Sequence, residues 1–564
     1  MKRTAICFLA LFLISGCRET PSPVIMGRNI TTGHGMVVSA HPEASETGVL
    51  ILQKGGNAID AAVATEFALS VCYPEAGNIG GGGFMLIRMS DGSSDVIDYR
   101  EKASLGAYRD MFLDEKGDLK EGSSTETHLA AGVPGTVDGM IKVHGKYGRL
   151  SFREVIQPAI DLASKGFPVT EDQAGSFNRN KDYFLKMNAK PPAFVKDREW
   201  KKGDILRQPE LAATLERIRD NGREGFYSGK TAEMIIREMK RGNGIISEQD
   251  LAEYKAVFRK PLSGEYRGYR IITIPPPSSG GIILLQLLKM LEPWPLQESG
   301  FHSIKAIHLI AEAEKRAFAD RAEYAGDPDF IDVHTSVLLD QEYLKRRFND
   351  FNIGMATEAK DVKAGMLPGF ESDETTHYSV VDKDGNAVSA TTTLNNLFGS
   401  SIVVEGAGFL LNDQMDDFSV KPGTPNMYGL VGGEANSISP GKRMLSSMTP
   451  TIVEKEGKLF LVAGSPGGST IPTTVFQVIT NVIDYKMDIS QAVDTGRFHD
   501  QWLPDYIIFE EGSIDSLVLK GLKGMSYNLK EQSRIGSVNA IEILPDGKIK
   551  AGADRRGYNT ACGY

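Results

Sequence analysis

The spacing of apolar and polar positions changes several times along the chain, and each change marks an element. Met36-Val37-Val38-Ser39 reads as a short buried strand. Residues 46–54 carry apolar side chains at helical spacing and stop at Gly55-Gly56, and the alanine-rich run 58–71 is a second helix. Residues 84–89 and 95–99 alternate at strand period around Asp91-Gly92, the pattern of a hairpin. The middle, 136–255, is mostly helical with polar connectors. Residues 269–274 form a strand stopped by three prolines, and 282–291 and 304–324 are helices. Between 350 and 374 the period is lost, and the polar, Gly-bearing stretch reads as an exposed linker. Strand signals dominate after it. Residues 376–381 alternate, Asp384-Gly385-Asn386 supplies a turn, and 387–394 runs back, which places Thr375-Thr376 at the mouth of a hairpin. Further turns fall at Glu456-Gly457-Lys458 and Asp546-Gly547-Lys548, with one helix over 473–485.

At 564 residues the chain exceeds one ordinary core, so it forms two domains or one large layered one. A net charge of −10 without any basic run argues against a nucleic-acid partner. The N-terminus changes the picture more. Lys2 and Arg3 precede an apolar stretch over 5–14 that is too short to span a bilayer but suits a secretory signal. The stretch ends Ile14-Ser15-Gly16-Cys17, which resembles the lipobox of bacterial lipoproteins; the other reading is an ordinary signal with an incidental cysteine. On the lipoprotein reading 1–16 is the signal, Cys17 carries the lipid, and 17–35 is a tether that holds a periplasmic or cell-envelope protein to a membrane. Cys7 leaves with the signal, which leaves Cys72 and Cys562 either to pair in an oxidising compartment or to stay as buried thiols.

Several chemistries fail on spacing. His302 and His308 are six apart rather than four, and neither HExxH nor paired CxxC occurs, so no metal or other cofactor is expected. Ala463-Gly464-Ser465-Pro466-Gly467 approaches a hydrolase elbow, but alanine stands where the first glycine belongs and proline disturbs the turn. Gly464 to Ser469 also lacks a phosphate-loop lysine, and the run Gly80 to Gly83 fits no dinucleotide fingerprint. The Thr375 junction offers something else. Were the bond between Glu374 and Thr375 cut, the threonine hydroxyl would sit beside a free α-amine, which titrates at roughly 7.7–8.0 and can serve as its base.

These residues carry a resemblance. Thr375-Thr376-His377-Tyr378-Ser379-Val380 resembles the start of the small subunit of gamma-glutamyltransferases (gamma-glutamyltranspeptidases). So do the stretches 36–64, GNIGGGGF at 77–84 and AAGVPG at 130–135 before it. After it, Thr393-Leu394-Asn395, LNDQMDDF at 411–418, Ser446-Ser447-Met448 and GSPGGS at 464–469 follow in the same order. The resemblance implies an α/β (α+β) fold, the four-layer αββα sandwich of N-terminal-nucleophile hydrolases. That sandwich is formed jointly by a large subunit, 36–374, and a small subunit, 375–564, which stay together after self-cleavage.

It also implies roles. Thr375 is the nucleophile in self-cleavage and in catalysis, and Thr393 assists its activation. Arg100, Ser446 and Ser447 bind the donor's α-carboxylate, a task for which a planar guanidinium fork suits better than a lysine. Asn395, Gln414 and Asp417 surround its α-ammonium. Gly467 and Gly468 form the oxyanion hole, with Ser469 or Thr470 capping the helix that follows, and Tyr428 belongs to a lid over 422–433. Met444 departs from the family pattern, as does the ending 553–564. The partners implied are glutathione and other γ-glutamyl compounds, with water, an amino acid or a peptide as acceptor. Two rivals remain. A glutaryl- or cephalosporin-type acylase of the same lineage often lacks the lid and the ammonium partner, and a non-catalytic scaffold lipoprotein would show gaps among these positions.

Overall fold

The computed structural model describes residues 23–363, 375–421 and 434–564. Two large antiparallel sheets lie face to face. The first has eight strands in the order Ile25–Gly27, Thr560–Gly563, Met36–Ser39, Thr376–Val381, Ala387–Thr393, Gly82–Arg88, Ser94–Asp98 and Val257–Arg259. The second has seven, in the order Thr31–Thr32, Ile549–Ala553, Asn539–Ile543, Lys458–Gly464, Thr451–Lys455, Tyr269–Thr273 and Leu262–Tyr266. Each sheet takes strands from both sides of residue 375, so the helix-rich and strand-rich parts share one layered body rather than forming two domains.

The period of two along each strand sorts side chains into layers. Met36, Val38, Leu86, Val381, Ile452 and Ile541 fill the space between the sheets. Val37, Tyr378, Val380 and Ala390 point the other way, onto the helices Pro42–Gln53 and Ala58–Cys72. Behind the second sheet Val453, Leu461 and Val538 meet Gly280–Leu291, Ile304–Tyr324 and Thr470–Ile483. The order is helix, sheet, sheet, helix. The helix Ala58–Cys72 is buried on every face, which explains why its sequence shows an apolar run and no stripe. A capping box between Asn57 and Asp60 fixes where it begins.

Most predicted elements are found within a few residues of their expected bounds, and the differences are local. The first helix begins at Pro42 rather than 46 because Pro42 sits in its first turn and the His41 side chain accepts from Glu43 N–H. The tether expected over 17–35 ends sooner: Ile25–Gly27 pairs with Thr560–Gly563 and Thr31–Thr32 with Ile549–Ala553. The linker expected from 350 is irregular but not wholly exposed, since Ala359 and Val362 are buried. Cys72 and Cys562 are free, buried thiols; burial pushes Cys562 up to about 12.

The two sheets approach closely below the hairpin. A Cβ on Gly464 would lie 2.3 Å from the ring of His377, whose Nδ1 meets the Thr391 hydroxyl at 2.9 Å. Burial holds that imidazole neutral, with its pKa lowered to about 3. Gly464→Ala in an uncleavable Thr375→Ala chain is expected to lose about 1–3 kcal/mol in urea unfolding, the usual cost of overpacking. Adding His377→Ala should restore most of it; equal losses with and without His377 would show that this contact is not the cause.

Candidate active site

Thr375 stands one residue before the strand Thr376–Val381 and is 7% exposed. In the pairing with Ala387–Thr393, Thr376 lies opposite Thr392 and His377 opposite Thr391. One further step of that register sets Thr375 against Thr393, on the face that His377, Ser379 and Ser389 turn toward the second sheet. Both strands are internal to the sheet, flanked by Met36–Ser39 and Gly82–Arg88.

Asn78 fixes the end of the second strand. Its amide donates to Thr393 O at 2.8 Å and to Thr392 Oγ1 at 3.1 Å, while its Oδ1 accepts from Gly81 N–H and from Thr136 Oγ1. The glycine run beside it allows the approach. A Cβ on Gly81 would lie 2.1 Å from Thr393 O, and one on Gly80 2.0 Å from Leu410 O. Beyond the strand Asn395 takes φ +78°, and its N–H donates to Thr393 Oγ1 at 2.9 Å. Asn395 Nδ2 donates to the Asp413 carbonyl, and Asn396 N–H to the Asp413 carboxylate. That lacing seats the 3₁₀ turn Gln414–Asp417 next to the hairpin.

At this turn Asp417 Oδ2 accepts from Arg100 Nη2 and from Gln414 Nε2, and all three residues are buried. Arg100 also donates to the carbonyls of Leu445 (2.8 Å) and Met444 (3.4 Å), so the segment entering Ser446-Ser447 lies along the guanidinium. Ser446 is held by Pro277 O and by the hydroxyls of Ser278 and Ser279. Asp417 Oδ1, Gln414 Oε1 and Ser447 Oγ are buried and have no hydrogen-bond partner among the described residues. Burial raises the Asp417 pKa, opposed by the charges of Arg100 and Arg321 and by the Gln414 hydrogen bond.

Gly467 and Gly468 follow the strand Lys458–Gly464 and take φ of +125° and +50°, in the left-handed region that glycine tolerates. They enter the helix Thr470–Ile483, and a helix N-terminus carries backbone donors suited to negative charge. The capping expected of Ser469 or Thr470 is not found. Ser469 Oγ donates to Gln501 Oε1 at 2.8 Å, and Thr470 Oγ1 to Gly467 O at 2.6 Å. Cys17, Glu374 and Tyr428, with the whole stretch 422–433, lie outside the described residues.

The gamma-glutamyltranspeptidase family model matches residues 44–564. The chain belongs to the gamma-glutamyltranspeptidase family. It is 50% identical over 525 residues to the glutathione hydrolase proenzyme of Escherichia coli (strain K12), covering 93% of this chain and 90% of that one. Among solved structures it resembles Helicobacter pylori gamma-glutamyltranspeptidase at 44% identity and a TM-score of 0.58, over 59% of this chain and 97% of that chain. It also resembles the cephalosporin acylase of Bacillus halodurans at 25% identity and a TM-score of 0.82, over 97% and 99%. The αββα architecture expected from the resemblance is the one found.

In this member of the gamma-glutamyltranspeptidase family the structure adds residues that reading the sequence had not singled out. Asn78 lies inside the quoted GNIGGGGF, yet only its hydrogen bonds reveal it as the brace of Thr393. Asp413, inside LNDQMDDF, has the same standing. Glu101 follows Arg100, and its carboxylate lies 3.5 Å from Arg100 Nη1. Burial pushes it up to about 7, with the Arg100 charge opposing. A carboxyl raised on folding gives stability that is complete below its unfolded value and lost as pH rises through the folded one. In the Thr375→Ala chain, the fall in urea midpoint between pH 5 and pH 8 is therefore expected to be smaller in Glu101→Gln. Parallel curves would mean that Glu101 ionises alike in both states.

Proposed function

We propose that the chain is a self-processing gamma-glutamyltransferase and glutathione hydrolase. The observation that carries this reading is a buried threonine at the mouth of an internal hairpin, in register with Thr393, where Asn395 and Asn396 tie the hairpin's end to the turn that holds the Arg100–Asp417 pair. In the precursor the Thr375 hydroxyl adds to the carbonyl of Glu374. The C–N bond breaks as the nitrogen of Thr375 takes the proton, and an ester remains. Water then cleaves the ester, leaving a carboxylate on Glu374 and an α-amine on Thr375. In the mature enzyme that amine accepts the hydroxyl proton while Oγ attacks the γ-carbonyl of the donor. Thr393 orients the hydroxyl. The N–H groups of Gly467 and Gly468 meet the oxyanion, a contact whose loss typically costs on the order of a hundredfold in rate. The leaving amine takes the proton, and the γ-glutamyl ester passes to water or to an amino acid or peptide.

The donor is a zwitterion at its glutamyl end. Arg100, Ser446 and Ser447 suit its carboxylate. Asn395, Gln414 and Asp417 suit its ammonium. The Oδ1 of Asp417, buried and without a partner among the described residues, favours a glutamyl over a glutaryl group. A glutaryl group would leave this buried carboxylate facing no cation of the ligand, which is costly. The N-terminal signal supports a place in the cell envelope, with the lipid on Cys17. Among the described residues no helix is long and apolar enough to cross a membrane.

Intact masses of the purified protein are expected to give two fragments. The smaller begins at Thr375, the larger at an acylated Cys17, and Thr375→Ala stays whole. A wild-type chain that is folded yet uncut would overturn the nucleophile assignment, and an unacylated larger fragment the anchor. For the pocket, Asp417→Asn in a processed enzyme is expected to lose about 10–100-fold in kcat/KM on γ-glutamyl-p-nitroanilide. That range follows from one charge-assisted hydrogen bond at roughly 1.5–3 kcal/mol. Activity on the glutaryl analogue should fall far less; equal losses on both would remove Asp417 from ammonium binding.

A further inference from the structure

Residues 351–363 are the last that the structure describes before the cleavage point, and they have no regular secondary structure. They are nonetheless gripped. Thr357 donates its N–H to Glu312 Oε1 (2.9 Å) and its hydroxyl to Glu312 Oε2 (2.6 Å), and its carbonyl accepts from Lys315 Nζ (2.8 Å). Two residues on, Ala359 N–H donates to Asp505 Oδ2 (2.9 Å), and its carbonyl accepts from Trp502 Nε1 (2.8 Å). Glu312 and Lys315 stand on the helix Ile304–Tyr324, before the cleavage point; Trp502 and Asp505 come from beyond it. Lys315 Nζ, 3.1 Å from Asp505 Oδ1, ties the two walls together.

Both backbone groups of two alternate residues are thus taken by side chains, while the side chains of Ala359 and Val362 are buried. Residues 358–362 close a turn, with Asp361 and Val362 N–H donating to Glu358 O, and the whole is held as a receptor holds a peptide: main-chain hydrogen bonds supply affinity, and pockets take selected side chains. We propose that the groove formed by Glu312, Lys315, Trp502 and Asp505 is an intramolecular peptide-binding site whose occupant is the segment 356–363. It holds that segment both before and after the chain is cut, so the end of the large subunit stays docked on the small one.

The persistence of this docking after the cut rests on the self-cleavage reading.

Hydrogen exchange tests the groove directly. The amides of Thr357 and Ala359 should be protected at least about a hundredfold over an open chain, both in uncut Thr375→Ala and in mature enzyme. Free exchange of these amides in either form would overturn the proposal. Protected amides in a wild-type chain that never cuts would uphold the groove and remove the self-cleavage reading instead.

Discussion

Everything at the site depends on one constraint: a residue that is to become a chain terminus must not move when it does. Ordinary termini fray, because nothing holds their backbone. The strand Thr376–Val381 escapes this by lying inside an eight-stranded sheet, hydrogen-bonded to a neighbour on each side. Those neighbours come from both sides of the cleavage point: Met36–Ser39 precedes it and Ala387–Thr393 follows it. The glycines at 80–83 serve the same end. They let Gly82–Arg88 press against the hairpin's second strand, so that Asn78 can reach the carbonyl of Thr393.

Around that fixed point the structure concentrates buried charge. Arg100, Glu101 and Asp417 are almost without solvent contact. Isolated in such a place each would be neutralised or would destabilise the fold. Asp417 and two carbonyls surround the Arg100 guanidinium, and burial keeps Glu101 protonated up to near neutrality. A second buried acid, Glu66, faces Tyr378 and Thr392 from the helix side of the hairpin and is likewise raised to about 7. Buried oxygen atoms without a partner among the described residues, next to a fixed cation, make a poor resting arrangement; on the proposed reading they would receive a small zwitterion.

How far this was legible in the sequence depends on the range of each interaction. Local signals were reliable. The hairpin at 376–394, the helices at 58–71 and 304–324 and the turns of the second part follow from period, glycine and capping. Helix starts slipped by a few residues where a cap came from an unexpected side chain, as with His41 before Pro42. The Arg100, Asp417 and Ser446 set was legible only through family resemblance, because nothing local joins positions more than 300 residues apart. What was missed is longer in range still. Asn78 reads as one more polar residue before a glycine run. The 351–363 segment lacks any period because its backbone is satisfied piecemeal, partly by short local turns and partly by groups from elsewhere in the fold. Aperiodic and exposed are different properties, and only the fold separates them.

The same reasoning explains why cutting the chain does not undo the fold. The apolar layer between the sheets draws on both parts, with Met36, Leu86 and Ile272 before the cleavage point and Val381, Ile452 and Ile541 after it. Neither part keeps a complete sheet without the other, so separation would expose two inner faces and the strand edges of both sheets. Hydrophobic burial of that extent far outweighs the freedom gained by releasing one chain end. Cleavage therefore changes little in the body of the protein and much at one atom, since the nitrogen of Thr375 passes from an amide that cannot accept a proton to an amine that can. The fold's contribution to chemistry is to let that change occur at a position whose geometry is already determined.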